Sequence, residues 1–402
     1  MAIFDAIAIE ACDAMVRDKN TARGKTFEID VYRYMNSSAL ELIGQAGLGY
    51  SFGSFKGRRD AYSTVIKHLL PAVVLAAPWL PFLVMFENFG SARFRQWIAK
   101  MTPFKVVQNL RKLVNVQHNQ AHEVLSARKA LLGAGESLNE TTGSGHDVLT
   151  LLMRANEKLP KNGQMSKEEM IGHMNSFIFA GHETTSGAIT RALDMLSIHS
   201  EVQDRLRAEV SDFMSKAGTG EIDRDRIDSL PYLDAVCREV LRLAPPVGMI
   251  RRICLEDTVL PLKYPVNTSK GPKNSIFVPK GASVSVGIDT INHDKDIWGP
   301  DADEFVPDRW LDGRASNADG SPGTYSHMMT FSAGPTACIG FKFAVLEIKI
   351  LLVRLISRFK FEASDKEFVW MLTGTQAPYP AEDAKRPATQ RKAQLLMKLT
   401  EL

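Results

Sequence analysis

The stretch Phe331–Ala344, FSAGPTACIGFKFA, sets a single cysteine on a glycine-hinged loop and continues at once into an apolar helical run. Gly334 and Gly340 permit a tight loop whose backbone N–H groups can turn toward the sulfur of Cys338. A helix that begins near Gly340 adds the positive end of its dipole beside that sulfur. The stretch therefore favours a thiolate, which is a soft ligand that binds iron well. The alternative is an inert buried cysteine at a turn, the commoner fate of a lone cysteine.

The composition is that of a globular protein with a substantial core. The chain has 402 residues, 45% of them hydrophobic, and a formal net charge of +3. This balance predicts no nucleic-acid partner, and any basic patch must be local. The four cysteines lie far apart without a CxxC pair, which is typical of a reducing compartment and offers neither a zinc site nor a disulfide framework.

One segment is a candidate for contact with a membrane. The first twenty residues carry acids and no basic leader, so we expect neither a signal peptide nor an anchor there. The stretch Leu69–Phe86 is uncharged over 18 residues, but Pro71, Pro78 and Pro81 interrupt it. A loop or short helices at an apolar surface fit this pattern better than a spanning helix. Peripheral membrane contact near residues 69–86 and a buried helical hairpin are the two alternatives.

Helical patterns dominate the first 245 residues. Ser166 is predicted to cap a long helix, because acids occupy the turn that follows it. The apolar periodicity continues far beyond an average helix, and we expect a break near His199. Ser229 is predicted to cap a further helix with Pro231 at an early position, and that helix stops at Pro245.

Short β-type runs follow Pro246, and residues 279–281 resemble a hairpin turn. Helix returns after Gly340. The predicted fold class is mainly α with a small β-rich part, in a single domain that covers residues 1–402. Its predicted parts are 1–245, mainly helical; 246–330, β-rich and loops; 331–360, the cysteine loop and the following helix; and 361–402, a C-terminal hairpin region.

Two motifs imitate other catalytic sites. GYSFG places Ser51 in the pattern of a hydrolase nucleophile elbow, but a helix that ends in glycine precedes it where an elbow needs a strand. GHETTS begins like the zinc motif H-E-x-x-H, but Ser186 stands where the second histidine is required. We expect neither site.

Two charged motifs point to a buried ion network. Glu239 and Arg242, in EVLR, are three residues apart and share one face of the predicted helix. Arg309, in FVPDRW, follows 70 residues after Glu239. A carboxylate shared between two arginines survives burial when its charges are hydrogen-bonded. Alone, the first pair would be an ordinary surface pair of little energetic value.

The run AGHETT, residues 180–185, lies in the middle of the long predicted helix. Gly181 removes a side chain, and Thr184 can turn its hydroxyl onto a carbonyl one turn back and so open the helix locally. A groove with an acid, Glu183, and an alcohol beside it suits the delivery of protons to dioxygen. Alone, Thr184 and Glu183 would be ordinary polar residues of a helix.

Taken together and in this order, AGHETT, EVLR with PDRW, and FSAGPTACIG resemble the cytochrome P-450 family of haem-thiolate monooxygenases. The run WGPDADEFVPDRW is most similar to microsomal eukaryotic members. The resemblance extends from about Glu28 to Lys360 and implies the cytochrome P-450 fold. In that family the Glu239, Arg242 and Arg309 set is a structural triad.

The resemblance also implies the roles of the site residues. Cys338 would be the axial ligand of haem b (iron protoporphyrin IX), with Thr184 and Glu183 as the catalytic pair on the oxygen side. Arg252 matches a family arginine that contacts a haem propionate. The further residues expected at the cofactor are Phe331, Gly334, Gly340, Ala180 and Gly181.

The implied reaction inserts one atom of O₂ into an apolar small molecule, with electrons from NADPH through a diflavin cytochrome reductase. For the full-length relative, the implied location is the cytosolic face of the endoplasmic reticulum membrane. Lys342 and Lys349 would face that reductase or, alternatively, would be ordinary solvated lysines. The hairpin near Met371–Gln376 is expected to close the substrate pocket. The expected pocket residues are Phe177, Ala180, Thr184, Val247, Met249, Ile250, Leu372 and Thr373.

Two departures from the family pattern motivate a rival hypothesis. Thr336 occupies a loop position that is usually basic and pairs with a haem propionate. Members of the family also have a further N-terminal segment, so the sequence resembles an N-terminally truncated member. We therefore expect weak retention of haem and exposed apolar surface on the β-rich part. The rival is a non-catalytic haem-protein remnant.

Overall fold

The computed structural model describes residues 1–18, 25–56, 72–73, 75–76, 89–133, 147–217, 222–269, 271–315, 321–387 and 390–402. Helices predominate in these residues. They are α1 Ala2–Arg17, α2 Val31–Leu42, α3 Ala92–Met101, α4 Lys105–Gly133, α5 Val148–Glu157, α6 Lys167–Ile198, α7 Ser200–Ala217, α8 Arg224–Asp228, α9 Pro231–Leu243, α10 Ile288–Asn292, α11 Lys295–Trp298, α12 Phe341–Arg358 and α13 Ala381–Ala384. A π-helix, Ile43–Leu48, continues α2.

The strands are short and antiparallel. They are β1 Thr26–Asp30, β2 Met249–Ile253, β3 Thr258–Thr268, β4 Gly271–Val278, β5 Ser283–Gly287, β6 Phe359–Ala363, β7 Phe368–Leu372, β8 Gln376–Pro380 and β9 Leu396–Glu401. One sheet has the order β1-β9-β6, and the other three are the pairs β2-β5, β3-β4 and β7-β8. The predicted class, mainly α with a small β part, is confirmed.

The long helix α6 begins and ends where local chemistry requires. The Ser166 hydroxyl accepts from the Glu169 N–H, and the Glu169 carboxylate accepts from the Ser166 N–H at 2.7 Å, which completes a capping box. The helix ends at Ile198 and α7 begins at Ser200, so the predicted break near His199 is confirmed.

The predicted cap at Ser229 is wrong. Ser229 ends the short helix α8, and its hydroxyl donates to the Arg226 carbonyl. Leu230 is the N-cap of α9, with no side-chain capping bond, and Pro231 is its first residue. Proline suits that position because the first helical N–H has no intrahelical acceptor in any case.

The main core lies where α1, α2, α6, α7, α9 and α12 pack together. Helix α12 runs through this core and is tied to α1 by ion pairs, such as the Arg354 guanidinium with the Asp5 carboxylate at 2.6 Å. A smaller apolar cluster lies where α4 and α5 meet α6 and includes Leu125, Leu149 and Ile171. The two clusters thus hold the two halves of α6, and the main core holds α12 from Val345 to Ile356.

The β-rich part is far more exposed than the helical core. Val259, Tyr264 and Phe277, on the β3-β4 ribbon, are 58–61% exposed. The expected exposure of apolar surface there is present. Residues 279–281 do form a turn, but the predicted hairpin is wrong, because β4 pairs with β3 and β5 pairs with β2.

No helix among the described residues combines the length and the apolar character needed to cross a bilayer. The membrane candidate at residues 69–86 lies outside the described residues, apart from four positions between 72 and 76.

Candidate active site

Cys338 lies on a loop that its own backbone holds closed. The Cys338 N–H donates to the Phe331 carbonyl at 2.9 Å, and the Ala337 N–H donates to the Gly334 carbonyl at 3.0 Å. Gly334, with φ +67°, takes a left-handed conformation that glycine adopts without strain. The cysteine is exposed and lies two residues before Gly340, the N-cap of α12.

The amides around the sulfur divide into two sets. The N–H groups of Ala337 and Cys338 donate to carbonyls of the loop and hold it closed. They are therefore not directed at the sulfur, although we expected N–H groups of this loop to turn toward it. Within the part of the chain that the structure describes, the N–H groups of Ile339 and Gly340 donate to no backbone carbonyl outside the helix pattern. Cys338 thus lies within two residues of the N-terminus of α12.

The other three cysteines are poorer ligands. Burial raises the pKa of the Cys12 thiol and of the Cys237 thiol to about 12. A thiol of that kind stays protonated and inert at neutral pH. Cys254 is half-buried on the chain after β2, whereas Cys338 is exposed. Cys338 is therefore the most solvent-exposed of the four cysteines.

The predicted triad is brought together in full. The Glu239 carboxylate accepts from Arg242 at 2.8 and 3.0 Å and from Arg309 Nε at 3.2 Å. Trp310 Nε1 also donates to it, at 2.9 Å, as does the Val306 N–H, at 3.1 Å. The three triad side chains have no exposed surface, so a carboxylate and two guanidinium groups are buried with hydrogen bonds on every side.

The remaining donors of the two arginines reach backbone carbonyls. Arg242 donates to the carbonyls of Asn292 and Ala302, at 2.8 and 2.6 Å, and Arg309 donates to that of Trp298. Arg309 also contacts Asp301, and this hydrogen bond holds the pKa of the Asp301 carboxyl below its usual range. The network thereby fixes the segment 299–310, which follows α11, against α9.

Asn292 is a site residue that the motifs did not reveal. Its side chain is fully buried; its amide donates to the Arg242 carbonyl and to the Thr330 hydroxyl, and its oxygen accepts from the Met329 N–H. Thr330 in turn donates to the Leu241 carbonyl at 2.7 Å. Asn292 thus joins the triad helix to the segment that leads into the Cys338 loop. A lone asparagine in NHDKD gives no sequence signal for such a role.

Helix α6 places the residues of AGHETT on different sides. The Thr184 hydroxyl donates to the Ala180 carbonyl at 2.6 Å, as predicted, and Ala180 is exposed. Burial and the charge of Glu183 raise the pKa of the Tyr32 phenol on α2. A Cβ at Gly181 would lie 3.3 Å from Ile43 Cδ1, so the missing side chain lets the π-helix Ile43–Leu48 approach α6 at this point.

Arg252 lies beside the cysteine loop. Its Nη2 donates to the Thr336 hydroxyl at 3.0 Å and its Nη1 to the Arg251 carbonyl, and all three residues are exposed. Strand β2 therefore brings the expected propionate-binding cation next to the loop position that departs from the family pattern. An anion at this surface can replace Thr336 as the partner of Arg252.

Two of the three predicted pocket segments meet. The Gln376 N–H donates to the Pro246 carbonyl at 2.9 Å, and a Cβ at Gly248 would lie 3.8 Å from Leu372 Cδ2. The β7-β8 hairpin also reaches α6, because a Cβ at Gly187 would lie 3.1 Å from the Gln376 carbonyl. This contact is almost one turn beyond Thr184.

The exposure of the pocket residues varies. Met249 and Leu372 are exposed, whereas Phe177, Val247, Ile250 and Thr373 are half-buried. The Thr373 hydroxyl pairs with the Tyr379 hydroxyl at 3.2 Å. No described contact joins Phe177 to the segment 247–250.

These residues fit a flat, apolar, anionic group such as haem. Cys338 offers an exposed thiol, and a Cβ at Gly334 or Gly340 would meet no atom within 4 Å. Ile339 is 90% exposed beside it, which provides apolar contact surface. Arg252 supplies a cation for a carboxylate. The arrangement can thus hold an iron ligand, an apolar ring and a charged edge on one surface.

Lys342 and Lys349 differ in a way that the sequence did not predict. Lys349 is buried between Asp228 and Asp234, at 3.0 and 2.8 Å, so it is neither a reductase contact nor a solvated lysine. Burial lowers its pKa, but the hydrogen bonds and charges of its partners, Asp234 first, outweigh burial and raise it. Lys342 is exposed and lines a cavity of about 270 Å³ with Arg224 and Arg238.

The two decoy motifs are not catalytic sites. Ser51 follows a π-helix that ends at Gly49, and its hydroxyl donates to the Glu41 carboxylate at 2.9 Å. His182, in GHETTS, is fully buried, and the described residues contain no group of three side chains that could bind a metal ion.

Comparison with known proteins yields a consistent family. The model of the family described as Cytochrome P450 matches residues 1–380. Cytochrome P450 monooxygenase 91 of Postia placenta is 42% identical over 87% of this chain and 65% of its own length. Ganoderic acid synthetase of Ganoderma lucidum is 34% identical over 98% of this chain and 73% of its own. The chain spans about two thirds of the length of the curated relatives that it matches.

Proposed function

The chain belongs to the cytochrome P450 family, and from this premise we propose that it is a haem-dependent monooxygenase. The reaction inserts one oxygen atom of O₂ into an apolar small molecule and reduces the other to water with two electrons from NADPH. Bound haem supplies the activation of dioxygen, while the protein supplies the axial ligand, the protons and the pocket.

The observation that carries the proposal is the state of Cys338. It is the exposed cysteine of the chain, on a loop closed by the Phe331 carbonyl and next to the start of an 18-residue helix. We assign Cys338 to the iron and Arg252 to a propionate of haem b. Phe331, Gly334 and Gly340 shape the loop.

Thr184 is assigned to proton transfer. Its hydroxyl proton is held on the Ala180 carbonyl oxygen, 2.6 Å away, at the partly exposed face of α6. A hydroxyl that donates to a carbonyl of its own helix can instead donate to an atom of a bound ligand and transfer its proton to that atom. The Glu183 charge acts on Tyr32 of α2, and we assign Glu183 to renewing the proton on Thr184.

The electron donor and location are also part of the proposal. A diflavin NADPH-cytochrome reductase at the cytosolic face of the endoplasmic reticulum fits the similarity to microsomal members. The exposed Lys342, close to the cysteine loop, supports contact with an acidic partner. The apolar residues Met249, Ile250 and Leu372 support an apolar substrate. One relative is named for the synthesis of an organic acid, ganoderic acid, which agrees with a small-molecule substrate.

The test is the spectrum of the reduced purified chain with carbon monoxide. Thiolate ligation gives a strongly red-shifted Soret band, and we expect that band from the part of the protein that retains haem. A Soret band without the red shift would assign a different iron ligand. A haem-free protein that cannot be reconstituted with added haemin would support the rival, a non-catalytic remnant, and would overturn the proposed activity.

A further inference from the structure

Two histidines, His118 and His122, stand four residues apart on helix α4. Of the nine histidines in the sequence, no other two are separated by three or four residues. Residues at that spacing lie one above the other on the same face of an α-helix. The sequence therefore places two imidazole rings side by side at one point of the helix surface.

The structure brings these two rings into direct contact. Their centroids are 4.8 Å apart and their planes are inclined at 68°. Rotation of the rings can bring one nitrogen of each to about 3.3 Å, the separation at which two imidazoles share a tetrahedral zinc ion with bonds of about 2.0–2.1 Å. Both residues are half-buried, so the helix surface restricts their rotamers while solvent still reaches the rings.

The part of α4 that carries the pair is held in place by its neighbours. Ala121, Val124 and Leu125 are buried in the smaller apolar cluster, where α4 packs against α6. The Gln120 side-chain amide donates to the Tyr50 hydroxyl at 3.2 Å. The backbone between the two histidines is therefore ordered before a ligand arrives, which reduces the entropic cost of binding one.

The charges around the pair are compatible with a bound cation. Partial burial, the Lys167 ammonium and the His118 ring lower the pKa of the His122 imidazole, and the Glu168 carboxylate opposes this. A lowered pKa keeps the imidazole neutral at neutral pH, and the neutral ring is the form whose nitrogen can bind a metal. The base and the acid, both in the first turn of α6, offset each other near His122.

We propose that His118 and His122 bind a divalent transition metal ion, such as zinc or nickel, through one nitrogen of each ring. Among the described residues no third His, Cys, Asp or Glu completes a ligand set, so water molecules take the remaining coordination positions. Imidazole nitrogen suits Zn²⁺, Ni²⁺ and Cu²⁺, whereas Mg²⁺ and Ca²⁺ prefer oxygen ligands. The same spacing on one helix face presents the two histidines of the H-E-x-x-H zinc motif.

The proposed metal site uses neither Cys338 nor any other residue assigned to haem. A metal that joins positions 118 and 122 cross-links one turn of α4, so its binding should stabilise the folded chain. Metal binding can therefore fail while the carbon monoxide spectrum succeeds, and the reverse also holds.

The experiment is calorimetric titration of the purified 402-residue chain, prepared without a histidine tag, with ZnCl₂ and with NiCl₂ at neutral pH. We expect one bound ion that an excess of MgCl₂ does not displace. That ion should remain bound in Cys338→Ser, since an exposed thiol is the other candidate ligand of zinc. Lowering the pH to about 5.5 should release it, because an imidazole must lose its proton to bind a metal. Absence of binding at neutral pH, or loss of binding in Cys338→Ser, would overturn the proposal.

Single substitutions test the two ligands. His118→Gln and His122→Gln should each weaken metal binding at least about tenfold, because a second ligand on the same helix acts at a high effective concentration. His173→Gln changes an exposed histidine of α6 and is the matched control, which should bind the metal like the parent chain. Equal affinity of His118→Gln and the parent chain would show that the pair is not the site.

Two double variants test the helical spacing itself. His118→Gln/Ser126→His restores a pair four residues apart, now with His122 as its first member, and should recover metal binding. His118→Gln/Ala127→His adds a ring five residues from His122, on a different side of the helix, and should not recover it. Ser126 and Ala127 are both exposed, so the two variants differ in spacing and not in access to solvent. Recovery in both variants, or in neither, would contradict a chelate on one helix face.

Folding is checked on the same proteins by urea unfolding. Every substituted position on α4 is half-buried or exposed, so without metal the variants should unfold at the same urea concentration as the parent chain. Added zinc should raise the urea midpoint of the parent chain and of His118→Gln/Ser126→His, and should leave that of His118→Gln unchanged. A rise of the same size in His118→Gln would place the stabilising metal elsewhere and would overturn the proposal.

Discussion

Asn292 joins two regions of the molecule. The Glu239 network consists of Glu239, Arg242 and Arg309, and the Cys338 surface consists of Cys338, Thr336 and Arg252. The two regions differ in whether their charged and reactive groups have partners within the chain. Around Glu239, every charge has its partner within the chain, and the triad has no exposed surface. Around Cys338, the thiol and the Arg252 guanidinium are exposed, and the thiol has no partner among the described residues. The first region is complete as a polypeptide, whereas the second exposes a thiol and a guanidinium to which we assign the proposed haem.

This difference separates what folds the protein from what it binds. Buried charges tolerate no missing partner, because each unpaired charge would carry the full cost of desolvation. Exposed charges tolerate substitution, because water replaces the lost partner. Mutations in the Glu239 network should therefore reduce stability, and mutations at the Cys338 surface should reduce cofactor binding or turnover while the fold persists.

The largest expected effect is at Cys338. Cys338→Ser should abolish the red-shifted Soret band of the reduced carbon monoxide complex, because a serine oxygen does not replace the thiolate. Urea unfolding of the haem-free chain should change little, since the residue is exposed. Cys254→Ser and Cys12→Ala are the controls and should keep the band. A band that survives Cys338→Ser and disappears in a control would assign the ligand to another cysteine.

Arg309→Ala tests the other region. It leaves part of the Glu239 charge buried without its partner, which should lower the free energy of unfolding by about 3–5 kcal/mol. Arg314→Ala is the matched control, because Arg314 pairs with the same Asp301 but its side chain is 44% exposed, so it should cost under about 1 kcal/mol. Urea titration measures both. Equal, small effects would mean that the Glu239 network is not what separates the two regions.

Thr184→Ala should affect turnover and leave the fold intact. Proton delivery by a positioned group contributes about a hundredfold or more, so product formed per NADPH should fall by about that factor, with hydrogen peroxide formed in its place. Ser176→Ala is the control, since Ser176 makes the same bond one turn back, to the Gly172 carbonyl, on the same helix. Unchanged coupling of NADPH to product in Thr184→Ala would remove Thr184 from the proton path.

Thr336→Arg is expected to strengthen cofactor binding at the Cys338 surface. The substitution restores a cation beside Arg252, and a charged hydrogen bond to a propionate should tighten haem binding by about tenfold. Haemin titration of the haem-free chain measures it. Thr268→Arg, a surface threonine on the β3-β4 ribbon, controls for added charge. Equal haem affinity of all three proteins would show that the Arg252 surface does not receive the propionates.

The smallest effect concerns Glu347, an acid as buried as Glu239 but without arginines. It is 1% exposed on α12, and neither carboxylate oxygen has a hydrogen-bond partner among the described residues. Burial raises its pKa well above the usual value. The folded chain therefore binds a proton that the unfolded chain releases, and this costs stability increasingly as the pH rises above the ordinary glutamate pKa, until the folded pKa is reached.

Glu347→Gln removes that titration. The variant should gain about 1 kcal/mol or more at neutral pH and show little gain near pH 4, where glutamate is protonated in both states. Urea unfolding at several pH values is the measurement. The control Glu367→Gln, at an exposed position, should change stability neither at neutral pH nor near pH 4. A loss of stability at neutral pH would show that Glu347 is ionised and paired in the folded chain.

The sequence alone determined the features that depend on neighbours within one or two turns. The Ser166 cap, the break at His199 and the loop that leads from Gly334 to α12 are fixed by side chains and glycines adjacent in the chain. The same holds for the Thr184 bond to Ala180 and for the shared face of Glu239 and Arg242. The order of these motifs was enough to indicate the family.

Only the tertiary structure decided the features that depend on which distant elements pack together. Lys349 is buried because α8 and α9 bring two aspartates to it, and Gly181 meets Ile43 because α6 packs on the end of α2. Asn292 became a joint between the triad and the cysteine loop, and none of the ten residues of α3 is buried. The physical reason is that burial and long-range hydrogen bonds are properties of pairs of elements, and periodicity along one element cannot specify its partner.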